Sequence, residues 1–305
     1  MLCSGNERDA PESNAPVFIG GMFKSGTSLL RAMLGRHSRL FAGLETQWLA
    51  EAARVSNPSE RRAWLERLAI FFDVPYPRLQ QAVDDALQVE ATLDQVMNFL
   101  RRRDGKARWV EKTPYNVAKI DCILSYWSSA KVIHVVRDPR DVYASLVESE
   151  KWTKPAVFAG HWCKTVGAGR NWIGARGGTH PAYHELRYEK LVLFPEVAIR
   201  EVLTFLDEPW EPEVARFYGR PQDFERVKLA TGKASPTLKR LAQPLTDSRI
   251  GAWRSIVGQE RWTLVRAELA RAGYDALVDT LIAETDTICA EAKEMGCASL
   301  VEHRP

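Results

Sequence analysis

The chain has 305 residues, 45% hydrophobic and 27% charged, an ordinary globular composition for one large domain or two small ones. A net charge of +3 is too small to argue for a nucleic-acid partner, and five cysteines without CxxC or His-paired spacing point to reduced thiols rather than a metal site. The opening MLCSGNERDAPESNAP lacks the apolar stretch of a signal peptide, and no run reaches the length of a membrane span. The expectation is a disordered tail over 1–15, no membrane anchor and a cytoplasmic address.

Residues 16–36 read PVFIGGMFKSGTSLLRAMLGR, which is strand, Gly-rich loop, helix. Gly21 and Gly26 reproduce the glycine frame of a nucleotide-triphosphate loop, which wants Lys and then Ser or Thr directly after the second glycine. Thr27 and Ser28 occupy those places and the lysine is Lys24, inside the loop. Amides at the helix start can still cradle a phosphate, but the displaced cation suggests a different group in transfer. A second strand is expected at RLFAG, 39–43, and an almost wholly helical stretch over 46–103. ARWVEK (107–112) and KVIHVV (131–136) read as strands, each followed by a helix, at NVAKIDCILSYW and at PRDVYASLV. AYHELRY (182–188) reads as a strand and VAIREVLTFL (197–206) as a helix. A loop is expected over 219–248, then two C-terminal helices and a frayed tail from 298. Alternating strands and helices predict an α/β fold, a parallel sheet flanked by helices.

Ligands of such sheets sit beyond the carboxyl ends of the strands. Lys24 follows the first strand, Glu45 the second, and Lys112 and Arg137 close the next two. Three cations and one carboxylate at one edge imply a ligand with more than one anionic group. Thr113-Pro114 and Asp138-Pro139 read as helix caps, which makes Asp138 a cap rather than a metal-holding acid. His37 is a rival base, and His134 reads as a core residue. Glu111 alternates with Lys112 and should face away from it.

KSGTSLL after an apolar strand, with VIHVVRDPRDVYASL downstream, resembles the two nucleotide-binding signatures of the sulfotransferases, which use 3′-phosphoadenosine 5′-phosphosulfate (PAPS) as donor. The likeness is greatest to the tyrosylprotein-sulfotransferase-like and bacterial branches and covers about residues 16–260. It implies a sulfotransferase fold: a single domain over 16–297, with a P-loop-type sheet and a helical insertion on the acceptor side over 46–106. It implies a 5′-phosphosulfate site at Lys24, Ser25, Gly26, Thr27 and Ser28, and a 3′-phosphate site at Arg137 and, eight residues on, Ser145. RYEKLVLFP brings Tyr188 near the nucleotide, and SRIGAWRS, with Ser248, Arg249 and Trp253, resembles a segment that closes over the donor. The resemblance makes Glu45 the catalytic base, aided by Lys24 and Lys112, with no metal. No His-base motif of the animal cytosolic members is evident. The expected activity is sulfuryl transfer to a hydroxyl of a small molecule or natural product. The alternatives are a P-loop small-molecule kinase and a non-catalytic nucleotide-binding protein. Oligomeric state is not legible.

Overall fold

The structure is a computed structural model and describes residues 14–83, 88–215, 217, 228–229, 232 and 236–296. Five strands form one parallel sheet: β1 Val17–Gly21, β2 Leu40–Ala42, β3 Arg108–Lys112, β4 Lys131–Val136 and β5 Tyr183–Arg187, in the order β2-β3-β1-β4-β5. All are near-continuously buried, as helix-covered parallel strands require, and each expected strand is present. The register sets Ile19 beside both Lys112 and Ile133, and Val136 beside Arg187. The chain leaves β1 in one direction to build β2 and β3, then returns across it to build β4 and β5. The crevice at this switch point lies at the carboxyl end of β1, where the Gly-rich loop begins.

Strand alternation sends Phe18 to one core and Val17 and Ile19 to another. The first core packs Phe41 and Trp109 beneath Leu65, Leu68 and Val96 of the insertion helices Pro58–Phe72 and Val89–Arg103. The second packs the helices Thr27–Leu34 and Pro195–Leu206 on the opposite face. A third joins Met22 and Val136, at the strand tips, to Trp262, Val265, Val278 and Leu281 of the helices Gly258–Arg271 and Asp275–Glu294.

Some local expectations are corrected. TQWLA at 46–50 is not helical, and the first helix of the insertion is the short Ala52–Val55. Thr46 bonds Glu111 through both its N–H and hydroxyl, its Oγ1 accepts from Trp48 N–H, and Gln47 takes a left-handed φ of 57°. These side-chain bonds outcompete the helix that the apolar spacing suggests. NVAKIDCILSYW divides into a 3₁₀ turn, Pro114–Ala118, and a helix, Ile120–Tyr126. Of the stretch expected as a loop over 219–248, residues 219–227, 230–231 and 233–235 lie outside the described residues, as do 1–13 and 297–305; within it Pro236–Leu241 is helical. Among the described residues no helix is long and apolar enough to cross a membrane.

Candidate active site

The loop after β1 can be built only from its own residue types. Gly21 has φ 146°, and a Cβ there would lie 2.2 Å from the Val135 carbonyl oxygen. Gly26 has φ 97°, and its Cβ would meet the Tyr188 ring at 2.5 Å. Lys24 takes a left-handed φ of 72°, a conformation non-glycine residues adopt mainly where the surroundings impose it. The helix Thr27–Leu34 starts with no side-chain cap and no acid in its first turn, which leaves its first amides and positive dipole end for an anion. Ser25 Oγ is buried with no partner among the described residues. Burial, then the charges of Lys151, Arg240 and Arg249, push the Lys24 ammonium below the usual lysine range; Glu148 opposes them. Cations crowd the loop to the point of mutual repulsion, the field an anionic ligand would relieve.

On one side of the loop stands an ion pair. Lys112 Nζ donates to Glu45 Oε2 at 2.5 Å, and Gln47 Nε2 donates to Glu45 Oε1 at 2.9 Å. The Lys112 side chain is 5% exposed and that of Glu45 22%, so the carboxylate is the open end of the pair. Glu111 faces away from Lys112, as expected from alternation, and carries a structural task that sequence spacing does not reveal. It is fully buried and accepts from Thr46, from Thr113 Oγ1 at 2.8 Å and from Asn116 Nδ2 at 2.6 Å. Burial raises its carboxyl pKa, while those bonds lower it. Thr113 corrects the cap expectation: its hydroxyl donates to Glu111 and accepts from Gln47 N–H at 3.0 Å, and does not cap the following turn. Glu111 thus fixes the turn that carries Glu45.

On the other side stands Arg137. Its guanidinium donates to the Lys24 carbonyl at 2.9 Å, the Arg249 carbonyl at 2.6 Å and Ser145 Oγ at 3.3 Å. It lies 4.3 Å over the Tyr188 ring, and its Nε is buried with no partner among the described residues. Arg137, Ser145, Tyr188 and Arg249 are therefore in one cluster. Arg249 also pairs with Glu148 at 2.6 Å. Ser248 is exposed, its N–H bonded to Thr246 Oγ1, and Trp253 is buried with its face toward Arg140. Asp141 escapes a sequence-only view because an acid in a first helical turn has an adequate local role. Here it accepts from the Gly251 and Trp253 amides at 2.8 and 3.0 Å and anchors the late segment. Burial raises its pKa to about 6, against the nearby Arg137 charge.

Asp138 is a cap: its carboxylate accepts from the Arg140 amide at 2.8 Å and pairs with the Arg140 side chain. His37 is buried at the far end of the first helix, bonded to the Pro209 carbonyl, with Glu211 3.6 Å away. It is remote from the strand tips. His134 is a core residue bonded to the Tyr183 hydroxyl, and burial lowers its pKa to about 3. A cavity of about 710 Å³ lies within the helical insertion, lined by Asp73, Arg78, Asn98, Phe99 and neighbours, and includes none of the strand-tip residues. Among the described residues no group of three or more His, Cys, Asp or Glu is arranged to hold a metal ion.

The sequence profile described as Sulfotransferase family matches residues 16–212. A protein-tyrosine sulfotransferase of Drosophila melanogaster is 24% identical over 286 residues, covering 85% of this chain and 51% of that protein. An uncharacterized Aquifex aeolicus protein is 26% identical over 285 residues, covering 88% of this chain and 34% of its own length. The chain thus spans about a third to a half of these curated relatives. Among solved structures, the sulfotransferase domain of the Synechococcus PCC 7002 olefin synthase aligns with a TM-score of 0.59 at 21% identity, covering 90% of this chain and 99% of the domain. The sulfotransferase domain of the curacin biosynthetic pathway aligns at 0.57 and 21% identity, covering 86% and 99%. These two share the fold seen here, and with the profile matched over well more than half of its length, the chain belongs to the sulfotransferase family.

Proposed function

We propose that this chain transfers a sulfuryl group from PAPS to the hydroxyl of a small-molecule acceptor. The observation that carries the proposal is the row of groups along one sheet edge. Glu45–Lys112, the Lys24 loop and Arg137–Ser145 stand in spatial order, with the loop at the switch point. The donor fits the residues. Buried Ser25 Oγ and Arg137 Nε lack partners among the described residues, the cations around Lys24 repel one another, and two separate cationic positions suit a nucleotide with two anionic ends.

When bound, PAPS supplies the sulfuryl group and the desulfated nucleotide leaves with the electrons of the broken S–O bond. The loop amides, Ser25, Thr27 and Ser28 would hold the 5′ end, and Arg137 with Ser145 the 3′-phosphate, with Tyr188 and Arg249 supporting Arg137. Glu45 would accept the acceptor's proton. Lys24 and Lys112 would stabilise negative charge as it develops. Tyrosine enters as an acceptor class through the names of the relatives.

The test is transfer from labelled PAPS to a panel of alcohols, with and without a chelator, alongside ATP. Chelator-resistant transfer from PAPS is expected. Phosphoryl transfer from ATP that needs Mg²⁺ would establish a kinase instead, and tight nucleotide binding without transfer to any acceptor would leave a binding protein.

A further inference from the structure

We propose that Gln47 is a positioning residue for Glu45, the proposed base: its amide holds one carboxylate oxygen and makes that oxygen the one that takes the acceptor's proton. This rests on the sulfotransferase function proposed above. Gln47 Nε2 donates to Glu45 Oε1 at 2.9 Å, while Lys112 Nζ donates to Oε2 at 2.5 Å. Each carboxylate oxygen thus has its own donor, one neutral and one charged. An ionised carboxylate only accepts, so the amide presents its NH₂ and not its oxygen. The last torsion of a glutamate is broad, and a single bond leaves the carboxylate free to swing about it. Two bonds, one to each oxygen, fix its plane.

The backbone is strained to make this contact. Gln47 takes a left-handed φ of 57°. Asp73 and Asp207 do the same as helix C-caps, where the conformation is ordinary, but Gln47 ends no helix. Such strain persists where the surroundings over-determine it, and here they do. The Thr46 carbonyl accepts from Trp64 Nε1 at 2.8 Å and from Arg67 Nη2 at 3.1 Å. Thr46 N–H and hydroxyl donate to buried Glu111, and Gln47 N–H donates to Thr113 Oγ1 at 3.0 Å. The turn is pinned from the insertion helix and from β3 together. A glycine would take that φ without strain but would bring no donor to Glu45.

The two bonds make the carboxylate oxygens unequal. The Lys112 ammonium beside Oε2 opposes a proton there, and the neutral amide beside Oε1 does not. Oε1 keeps a second lone pair for the proton while the amide occupies the first. In the step, the acceptor oxygen bonds sulfur, its proton passes to Glu45 Oε1, and the S–O bond to the 5′-phosphate breaks with its electron pair leaving on the phosphate. Gln47 neither gains nor loses a proton and acts only through Glu45.

The test uses the full chain with labelled PAPS and the fastest acceptor of the alcohol panel. Alongside turnover it reads calorimetry with desulfated nucleotide, thermal melts, and the ¹³C resonance of the Glu45 carboxyl, assigned by its loss in Glu45→Gln. Gln47→Met keeps the length without the donor, and Gln47→Gly removes the donor and the backbone strain together. Both should lower kcat about tenfold or more, the size of a lost hydrogen bond to a charged group, and shift or broaden the Glu45 resonance. The Kd of desulfated nucleotide should stay at the wild-type value in both. Gln47→Gly should melt no lower than the wild type, whereas a merely structural residue would lose activity only together with stability. Wild-type kcat in either variant, an unmoved Glu45 resonance, or a kcat loss in Gln47→Gly matched by a fall in Tm overturns the role of Gln47. Absence of transfer by the wild type to every member of the panel would overturn the sulfotransferase function itself, and is read before any variant.

Discussion

The two flanks of the loop treat their cations differently. Lys112 is neutralised by direct contact with the Glu45 carboxylate. Arg137 is held by two backbone carbonyls, one hydroxyl and a ring face. Carbonyls orient a guanidinium without cancelling its charge, so the β4 flank holds its cation with no direct carboxylate contact among the described residues. The β2–β3 flank instead keeps a carboxylate and a cation side by side. In the proposed function one flank binds an anion and the other moves a proton, and the loop between them serves both.

That division can be broken in order of expected effect. Glu45→Ala should lower kcat by about 10² to 10⁴ while leaving the Kd of desulfated nucleotide near the wild-type value. Because Ala would strand buried Lys112, Glu45→Gln is the companion variant, and normal turnover in both would end the division of labour. Arg137→Ala should do the reverse, weakening desulfated nucleotide by roughly 10- to 100-fold in calorimetry, since a charge-assisted hydrogen bond contributes about 1.5–3 kcal/mol. The Kd of ATP, which lacks the 3′-phosphate, should hardly change.

Asp141→Asn sharpens the comparison through pH. The Asp141 carboxyl is raised to about 6 when folded, above its ordinary value near 3.8, so between those values the folded state binds more protons than the unfolded. Wild-type stability from this group therefore falls as pH rises from 4 to 6, and Asn removes that slope. Denaturant melts of both proteins across this range should diverge toward pH 6, and parallel curves would refute the buried charge. The smallest effect is Ser145→Ala, which should weaken desulfated nucleotide only a few-fold, the loss of about 0.5–1.5 kcal/mol from one hydrogen bond.

The strands were legible because fully buried parallel strands are unbroken apolar runs, and KVIHVV coincides with β4 residue for residue. Lys24, Glu45, Lys112 and Arg137 were legible because strand tips converge by topology alone. The helices over 155–174 gave no clean pattern: a π turn at Cys163–Gly167 shifts the register between Pro155–Trp162 and Ala168–Gly174, so apolar spacing at 3.6 does not persist. The task of Glu111 could not be read, because its bond to Thr46 joins segments 65 residues apart. His37 misleads for the opposite reason. It is eight residues from Glu45 in sequence, yet an eight-residue helix spans about 12 Å and carries it to the other end of the sheet.

Tyr188 lies between the two ends of the proposed nucleotide site, its ring against Gly26 on one side and beneath Arg137 on the other. A rigid ring wedged between a glycine and a guanidinium acts as a caliper, fixing the gap between the loop and the β4 cation. A nucleotide whose second phosphate sits on the 2′ rather than the 3′ oxygen carries the same charge but the wrong span. Altering donor choice would therefore require resetting the caliper at Gly26 and Tyr188 together, since exchanging the cation alone leaves the gap as it was.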